Sequence, residues 1–481
     1  MLFNTFHFLF FFIAVWVLIL ALRGVPRKLL LLIASYYFYM CWNAKYILVI
    51  LGITVIDYFA GLLIEKSAEH RSKKLYLALS LFCNIGLLVV FKYFNFLSLS
   101  TADLFRWLGL GYDAPLLHTL LPVGLSFHTF QAMSYTIDVY RGKAPAERSL
   151  LNYALYVAFF PQMVAGPIER PRELLPQFYR DPSLRLERVR SGMEHAIWGL
   201  FKKMVIADSL AGFVKMVYST PQSFSGAELA VATLAFSFQI YCDFSGYSEI
   251  ALGVARMMGY ELRVNFAQPY FSCSVAEFWH RWHISLSTWF RDYVYIALGG
   301  NRVAVPRYYF NLLATFIISG LWHGADWTFV AWGALHGAFL IFSKMTSDLR
   351  LKVREFLFLD RFPMLLACLQ RISTFALVTV AWVLFRAKDL GSAVYIVTHF
   401  LPLGHFNLYN LNEGGIPRVN APFLLFFILA MFVVEWWIMH PHRAPRAFSS
   451  PPARWFFFQA CAYSIVFFGV FGHVDFIYFQ F

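Results

Sequence analysis

A chain of 481 residues that is 59% hydrophobic and only 14% charged carries more apolar surface than a water-soluble fold of its size can bury. Aromatic residues reach 20%, with 54 Phe, 26 Tyr and 14 Trp, which suits lipid-facing walls and interfacial belts. The formal charge of +13 does not point to nucleic acid, because the basic residues fall in short runs between apolar segments, the pattern of positive-inside topology.

The first apolar segment, 4–22, has no charged leader and no small-residue cleavage motif and ends at Arg23, so it reads as a retained span and not a signal peptide. Further spans of roughly 20 residues are predicted at 28–43, 46–64, 75–93, 119–139, 193–217, 228–258, 364–385, 422–439 and 455–472. Basic loops follow the first span (Arg23, Arg27, Lys28), the third (Lys66, Arg71, Lys73, Lys74) and the fifth (Arg141, Lys143, Arg148). All three follow odd-numbered crossings, which places the N-terminus outside the cytoplasm.

From Arg141 to Arg190 the chain is amphipathic and broken by Pro161, Gly166, Pro167, Pro171 and Pro176. The apolar stretch 150–165 is therefore predicted to dip in and return, which backbone tolerates only when buried in protein or lining a cavity. Between Arg307 and Lys344 an apolar stretch of about 36 residues, interrupted by Gly320, Gly324 and Asp326, fits two short or tilted spans. Both ends are basic, hence cytoplasmic, and the apex Ser319-Gly320-Leu321-Trp322-His323-Gly324 lies in the membrane region. With no repeat or linker, residues 1–481 read as one all-α domain of about 11 or 12 crossings plus re-entrant and interfacial helices.

An ionisable side chain at membrane depth is costly, so His323 is a functional candidate by default. Gly320 and Gly324 strip bulk from around it and allow close approach of a backbone or a ligand, while Trp322 supplies a flat wall. A buried histidine bonded to a neighbouring helix is the alternative. In Ser274–Tyr295, Phe278, Trp282, Leu286, Trp289, Phe290 and Tyr293 follow helical spacing, with Arg281, Ser285, Thr288 and Asp292 opposite, so an amphipathic helix near the cytoplasmic interface is predicted. His283 sits at the edge of its apolar stripe, one turn from Trp279 and Ser287, and can face the protein interior; a purely anchoring helix is the alternative.

Glu277, His280 and His283, spaced by three, raise a metal site, but the other histidines are scattered without close-set boxes, so no metal is expected. The six cysteines, dispersed mostly through apolar segments, show no disulfide or zinc spacing. Asp243, within FSFQIYCDFSGYSEIALG, marks either a broken helix lining a cavity at Tyr241–Gly246 or a polar helix–helix contact through small residues. No G-x-S-x-G elbow or P-loop is present, so neither an acyl-serine intermediate nor ATP hydrolysis has sequence support.

Several long stretches resemble the membrane-bound O-acyltransferase family, in its bacterial branch of alginate, cellulose and peptidoglycan O-acetyltransferases and the teichoic-acid D-alanyl transferase. They include LLIASYYFYMCWNAKY, LPVGLSFHTFQAMSYTIDVYRGK at 121–143, FFPQMVAGPIERPRELLPQF at 159–178, NFAQPYFSCSVAEFWHRWHISLSTWFRDYVYIALGGNR at 265–302 and SGLWHGADWTFVAWGALHG at 319–337. The resembling core covers about 121–343. The ending VDFIYFQF departs from the alginate enzymes and is similar to other branch members.

The resemblance implies the polytopic fold of that family, with helices around a central channel. It implies catalysis by His323, as general base, and by His283, orienting substrate or stabilising charge, with supporting roles for His336, Asp243, Trp322 and Ser319. It also implies an acetyl-CoA or acyl-carrier thioester as cytoplasmic donor, with no bound cofactor; Lys202, Lys203, Arg281 and Arg291 become candidates for the donor mouth, with ordinary positive-inside charge the simpler reading of most of them. An extracytoplasmic polysaccharide acceptor, a serine-hydrolase-like acetyltransferase partner, periplasmic or membrane-anchored, and the bacterial inner membrane follow from the same likeness. The rival is a transporter in which His323, Asp243 and Glu249 relay protons, a class that often shows an internal repeat absent from this sequence.

Overall fold

A computed structural model describes residues 1–118, 122, 124–163, 166–182, 185–401, 404, 421–440, 442, 450–471 and 476–477. The described residues form helices and connecting turns without strands. They fall into two compact units, Met1–Ala196 with Ala251–Arg263, and Ile197–Ile250 with Val264–Phe481. No composition break announces this division: two of its boundaries fall inside α9 and α11, and the third lies in the connection after α11.

In the first unit, α1 (Phe6–Ala21), α2 (Gly24–Met40), α3 (Ile47–Lys66), α4 (His70–Leu88), α5 (Phe94–Trp107) and α6 (Leu125–Tyr140) are followed by the short α7 (Leu150–Ala158) and α8 (Pro171–Leu174). Helices α3, α4 and α6 meet around Asp57, a fully buried carboxylate that accepts bonds from Ser80 Oγ and from Asn84 Nδ2 at 2.8 Å. Both carboxylate oxygens of Asp57 are thus hydrogen-bonded, as burial requires. The stretch expected to dip and return is α7 with the turn after it. Tyr153 and Leu155–Phe160 are fully buried, and Gln162 Nε2 bonds the Tyr156 carbonyl at 2.7 Å, so its irregular backbone is enclosed by protein.

The chain passes to the second unit along α9 (Leu186–Leu200), which continues through a π-helical turn at Phe201–Ala207 into α10 (Asp208–Ser219). After it come the long α11 (Gly226–Met257), α12 (Val275–Arg281), α13 (Ile284–Phe290), α14 (Val305–His323), α15 (Trp327–Met345), α16 (Ser347–Phe356), α17 (Pro363–Arg386), α18 (Leu390–Thr398), α19 (Ala421–Met439) and α20 (Pro451–Phe468).

Among the described residues, six helical stretches are long and apolar enough to cross a membrane: Ala44–Lys66, His70–Trp107, Gly226–Met257, Trp327–Met345, Pro363–Arg386 and Ala421–Met439. The protein is a multi-span, all-α membrane protein. The larger number of crossings predicted from sequence counted segments that are short or polar. Helix α1 has 16 residues, the predicted span 193–217 carries Glu194, Lys202, Lys203, Asp208 and Lys215, and α14 has the length but carries Arg307 and Asn311. Residues 119–121 of the predicted fifth span lie outside the described residues, as does most of the ending VDFIYFQF.

The expected hairpin is α14 and α15, each of 19 residues and so about 28 Å long, neither of them short. Asp326 caps α15 by accepting the Thr328 N–H at 2.8 Å. Glycines let the two helices close: a methyl at Gly320 would sit 2.2 Å from the Phe329 carbonyl oxygen, and one at Gly333 2.2 Å from that of Phe316.

Candidate active site

His323 ends α14, and packing within the hairpin leaves it 4% exposed. Its neighbours are aromatic. Ring centroids lie 5.0 Å away at Trp322, 5.1 Å at Trp332 with the planes near perpendicular, and 5.4 Å at Phe385 of α17. Gly324 leaves room for Phe329, whose ring a methyl there would meet at 2.1 Å. The close approach foreseen from Gly320 and Gly324 is thus made by α15 itself. Ser319 is buried one helical turn before His323.

The imidazole of His283 stands 6.3 Å from that of His323, centroid to centroid, and is fully buried against Phe244 at 4.6 Å and Trp322 at 6.0 Å. The structure corrects the single amphipathic helix expected over 274–295. The chain breaks between α12 and α13, and His283 occupies the break with φ 44° and ψ 52°, the left-handed region rarely used by a residue with a Cβ. The break aims the imidazole inward, where a straight helix would leave it at the edge of the apolar stripe. His283 lies outside the predicted spans, and burial holds its pKa down to about 3, so the ring is neutral at ordinary pH.

His336, on α15, is fully buried and shares with His323 the neighbour Trp332, whose ring lies 4.9 Å from its own. Trp279 Nε1 donates to His336 Nδ1 at 3.3 Å. Glu277, His280 and His283 do not converge on a metal: Glu277 pairs with Arg281 at 2.8 Å, His280 is exposed and bonds its own helix at Ala276, and His283 is turned away into the core.

Asp243 belongs elsewhere. Helix α11 runs unbroken through it, so Tyr241–Gly246 is not a broken helix, and the small-residue contact is what the structure shows: a methyl at Gly246 would lie 2.7 Å from the Gly199 carbonyl oxygen. Lys203 Nζ sits 2.7 Å from Asp243 and 2.7 Å from Asp208, all three buried, and Asp243 Oδ2 accepts the Ile477 N–H at 2.7 Å. This pairing corrects the sequence reading of Lys203 as a donor-mouth residue, since its ammonium is enclosed between two carboxylates. Lys202 is also buried, over the rings of Trp198 at 5.7 Å and Tyr241 at 5.6 Å. Arg281 is held by Glu277 and the Ala267 carbonyl, whereas Arg291, paired with its neighbour Asp292, has a side chain 56% exposed.

Sequence reasoning singled out both histidines but missed Trp332, Phe385 and Phe244, which enclose them. In a chain this rich in aromatics no local signal distinguishes those three. It also missed Asn265, whose contacts are made only in the folded chain.

The chain is similar to several known proteins. The profile of the MBOAT, membrane-bound O-acyltransferase family, matches residues 76–360. The chain is 38% identical over 453 residues to the probable alginate O-acetylase of Pseudomonas aeruginosa, covering 93% of this chain and 84% of that protein. It is 36% identical over 464 residues to the peptidoglycan O-acetyltransferase of Helicobacter pylori, covering 89% and 86% respectively. A shorter match, 30% over 232 residues, links it to the teichoic acid D-alanyltransferase of Streptococcus thermophilus, covering 46% of this chain and 56% of that one.

Proposed function

We propose, from the premise that this chain belongs to the membrane-bound O-acyltransferase family and is a membrane acyltransferase, that it moves an acetyl group from a cytoplasmic thioester toward hydroxyls of an extracytoplasmic polysaccharide. The observation that carries this reading is the placement of His283 and His323 within 6.3 Å of each other inside an aromatic enclosure. That separation lets both rings act on one bound molecule, and the aromatic walls exclude water that would otherwise hydrolyse a thioester.

In the proposed reaction His323 removes the proton of an acceptor hydroxyl as its oxygen attacks the thioester carbonyl. The tetrahedral intermediate collapses to an ester, and the departing thiolate takes the proton back from the imidazolium. His283, neutral because it is buried, orients the reacting groups by hydrogen bonding and does not act as a fixed cation. Trp322 and Trp332 hold the His323 ring, and Ser319, His336 and Asp243 support the surrounding helices.

The donor is acetyl-CoA or an acyl-carrier thioester, entering from the side of the basic loops, with Arg291 the most accessible of the four basic candidates. The positive-inside pattern supports an N-terminus outside the cytoplasm of a bacterial inner membrane. The relatives' names motivate a polysaccharide acceptor, and the family resemblance motivates a periplasmic or membrane-anchored serine-hydrolase-like partner that completes the transfer. The transporter alternative loses support, because the carboxylate it needs at Asp243 is engaged by Lys203.

The test is reconstitution into vesicles with labelled acetyl-CoA. Label should reach an acceptor, or free thiol should be released, in an amount that falls about 100-fold or more in His323→Ala. A folded His323→Ala protein with full transfer would refute the assignment.

A further inference from the structure

Left-handed backbone at His283 is costly, of order 1–3 kcal/mol for a residue with a Cβ, and persists only where the surroundings over-determine it. Across the break the Trp282 carbonyl accepts the Ser287 Oγ–H at 3.1 Å. The other bonds that hold it converge from Asn265, itself 1% exposed. Its carbonyl oxygen accepts the Ile284 N–H at 2.9 Å. Its side-chain Oδ1 accepts both the Ser285 N–H at 3.1 Å and the Ser285 Oγ–H at 2.9 Å, and its Nδ2 donates to Ser248 Oγ on α11 at 3.4 Å. Two residues on, the Ala267 N–H bonds the Arg281 carbonyl at 2.9 Å, tying the same segment to the end of α12.

The first N–H groups of a helix have no partner in the helix, and the residue before it ordinarily caps them with its own side chain. His283 occupies that capping position in α13 and makes no such bond. Asn265 takes over the task, and the imidazole packs against Phe244, Trp322 and His323.

We propose that Asn265 is a positioning residue of the transfer reaction, capping α13 in place of His283 and so committing the His283 imidazole to the site. The inference rests on the catalytic reading of His283 given above.

It is tested in the full-length protein in vesicles with labelled acetyl-CoA, by comparing Asn265→Leu, Asn265→Asp, Ser285→Ala and His283→Ala. Asn265→Leu keeps the volume and loses every side-chain bond. It should lower kcat about 10- to 100-fold with the donor KM within about twofold. Asn265→Asp keeps the acceptor for Ser285 and should recover to within about fivefold of the parent, a rescue that a volume-filling role would not show. Where Asn265→Leu does not fold, Ser285→Ala, which removes one of the two bonds to Oδ1, takes its place, with an expected loss of about threefold in kcat alone.

In the His283→Ala background the Asn265 or Ser285 change should cost nothing further, because a residue acting through His283 has nothing left to position. Independent, multiplicative losses would overturn the proposal, and so would parent-level kcat in Asn265→Leu or, where that protein does not fold, in Ser285→Ala, beside an inactive His283→Ala. A fully active His283→Ala would overturn instead the catalytic reading on which the proposal stands.

Discussion

Trp279 donates its indole proton to Nδ1 of His336 at 3.3 Å. An indole can only donate, so Nδ1 is the bare nitrogen of a neutral imidazole and the ring's own proton sits on Nε2. His336 is thereby fixed in tautomer and in orientation against Trp332, the ring that also walls His323.

Trp279→Phe keeps the ring packing and removes the donor. The buried Nδ1 is left without it, and the protein should lose about 1–3 kcal/mol in thermal or denaturant unfolding. Trp279→Phe with His336→Phe should recover part of that loss, since removing both polar partners costs less than stranding one. Transfer per folded molecule should fall far less in His336→Phe than in His323→Ala.

The left-handed turn makes position 283 unusual in its preferences. Asn and Gly accept that conformation, whereas Ala and Val do not. Unfolding of the four variants should rank His283→Asn and His283→Gly above His283→Ala by about 1 kcal/mol, with His283→Val lowest. An ordering that follows helix propensity, with Ala on top, would contradict the observed backbone.

The same position carries an acid signature. The folded pKa of His283 is held near 3, against about 6.5 in an unfolded chain. Below about pH 6.5 the unfolded state takes up a proton that the folded state refuses, so stability falls as pH drops from there toward 3, with a limiting slope of about 1.4 kcal/mol per pH unit. His283→Asn lacks this proton, and melting curves between pH 7 and pH 5 should be flatter for it than for the parent.

Lys203 tests the correction to the donor mouth. Lys203→Met strands two buried carboxylates and should cost about 3–5 kcal/mol, seen as lost membrane expression. Adding Asp208→Asn and Asp243→Asn should restore much of the fold. If the triple variant then transfers label with the parent's donor KM, the ammonium has no part in holding the donor.

Glycine at 333 sets the distance between α14 and α15. Gly333→Ala places a methyl 2.2 Å from a carbonyl oxygen that cannot move without its helix. Transfer should fall at least about tenfold although the substituted position touches neither catalytic histidine, because small misplacements of reacting groups are expensive.

Much of this site is legible in the sequence because it is built from local features. The hairpin shows as two apolar halves around Gly320–Asp326, and His323 shows as a polar residue where polarity is costly. The break at His283 is not legible, since Phe278, Trp282, Leu286 and Trp289 keep helical spacing straight through it and no Gly, Asn or Pro marks the turn. Bonds from Asn265, 18 positions before His283 in the sequence, decide that conformation. The role of Lys203 is hidden for a similar reason: Asp208 is near in sequence, but Asp243 comes from another helix. Net charge in a loop or helix gives no sign of which cations the fold will enclose.

The enclosed trio also bears on how such a protein is made. Lys203 and Asp208 leave the ribosome together, so the segment that carries them can enter the bilayer with its charge already matched. Asp243 follows on the next long helix, and its second oxygen waits for the peptide N–H of Ile477, 234 positions later. Synthesis therefore completes this ionic contact in stages, and a chain stopped early would present the insertion and quality-control machinery with a carboxylate lacking one of its bonds.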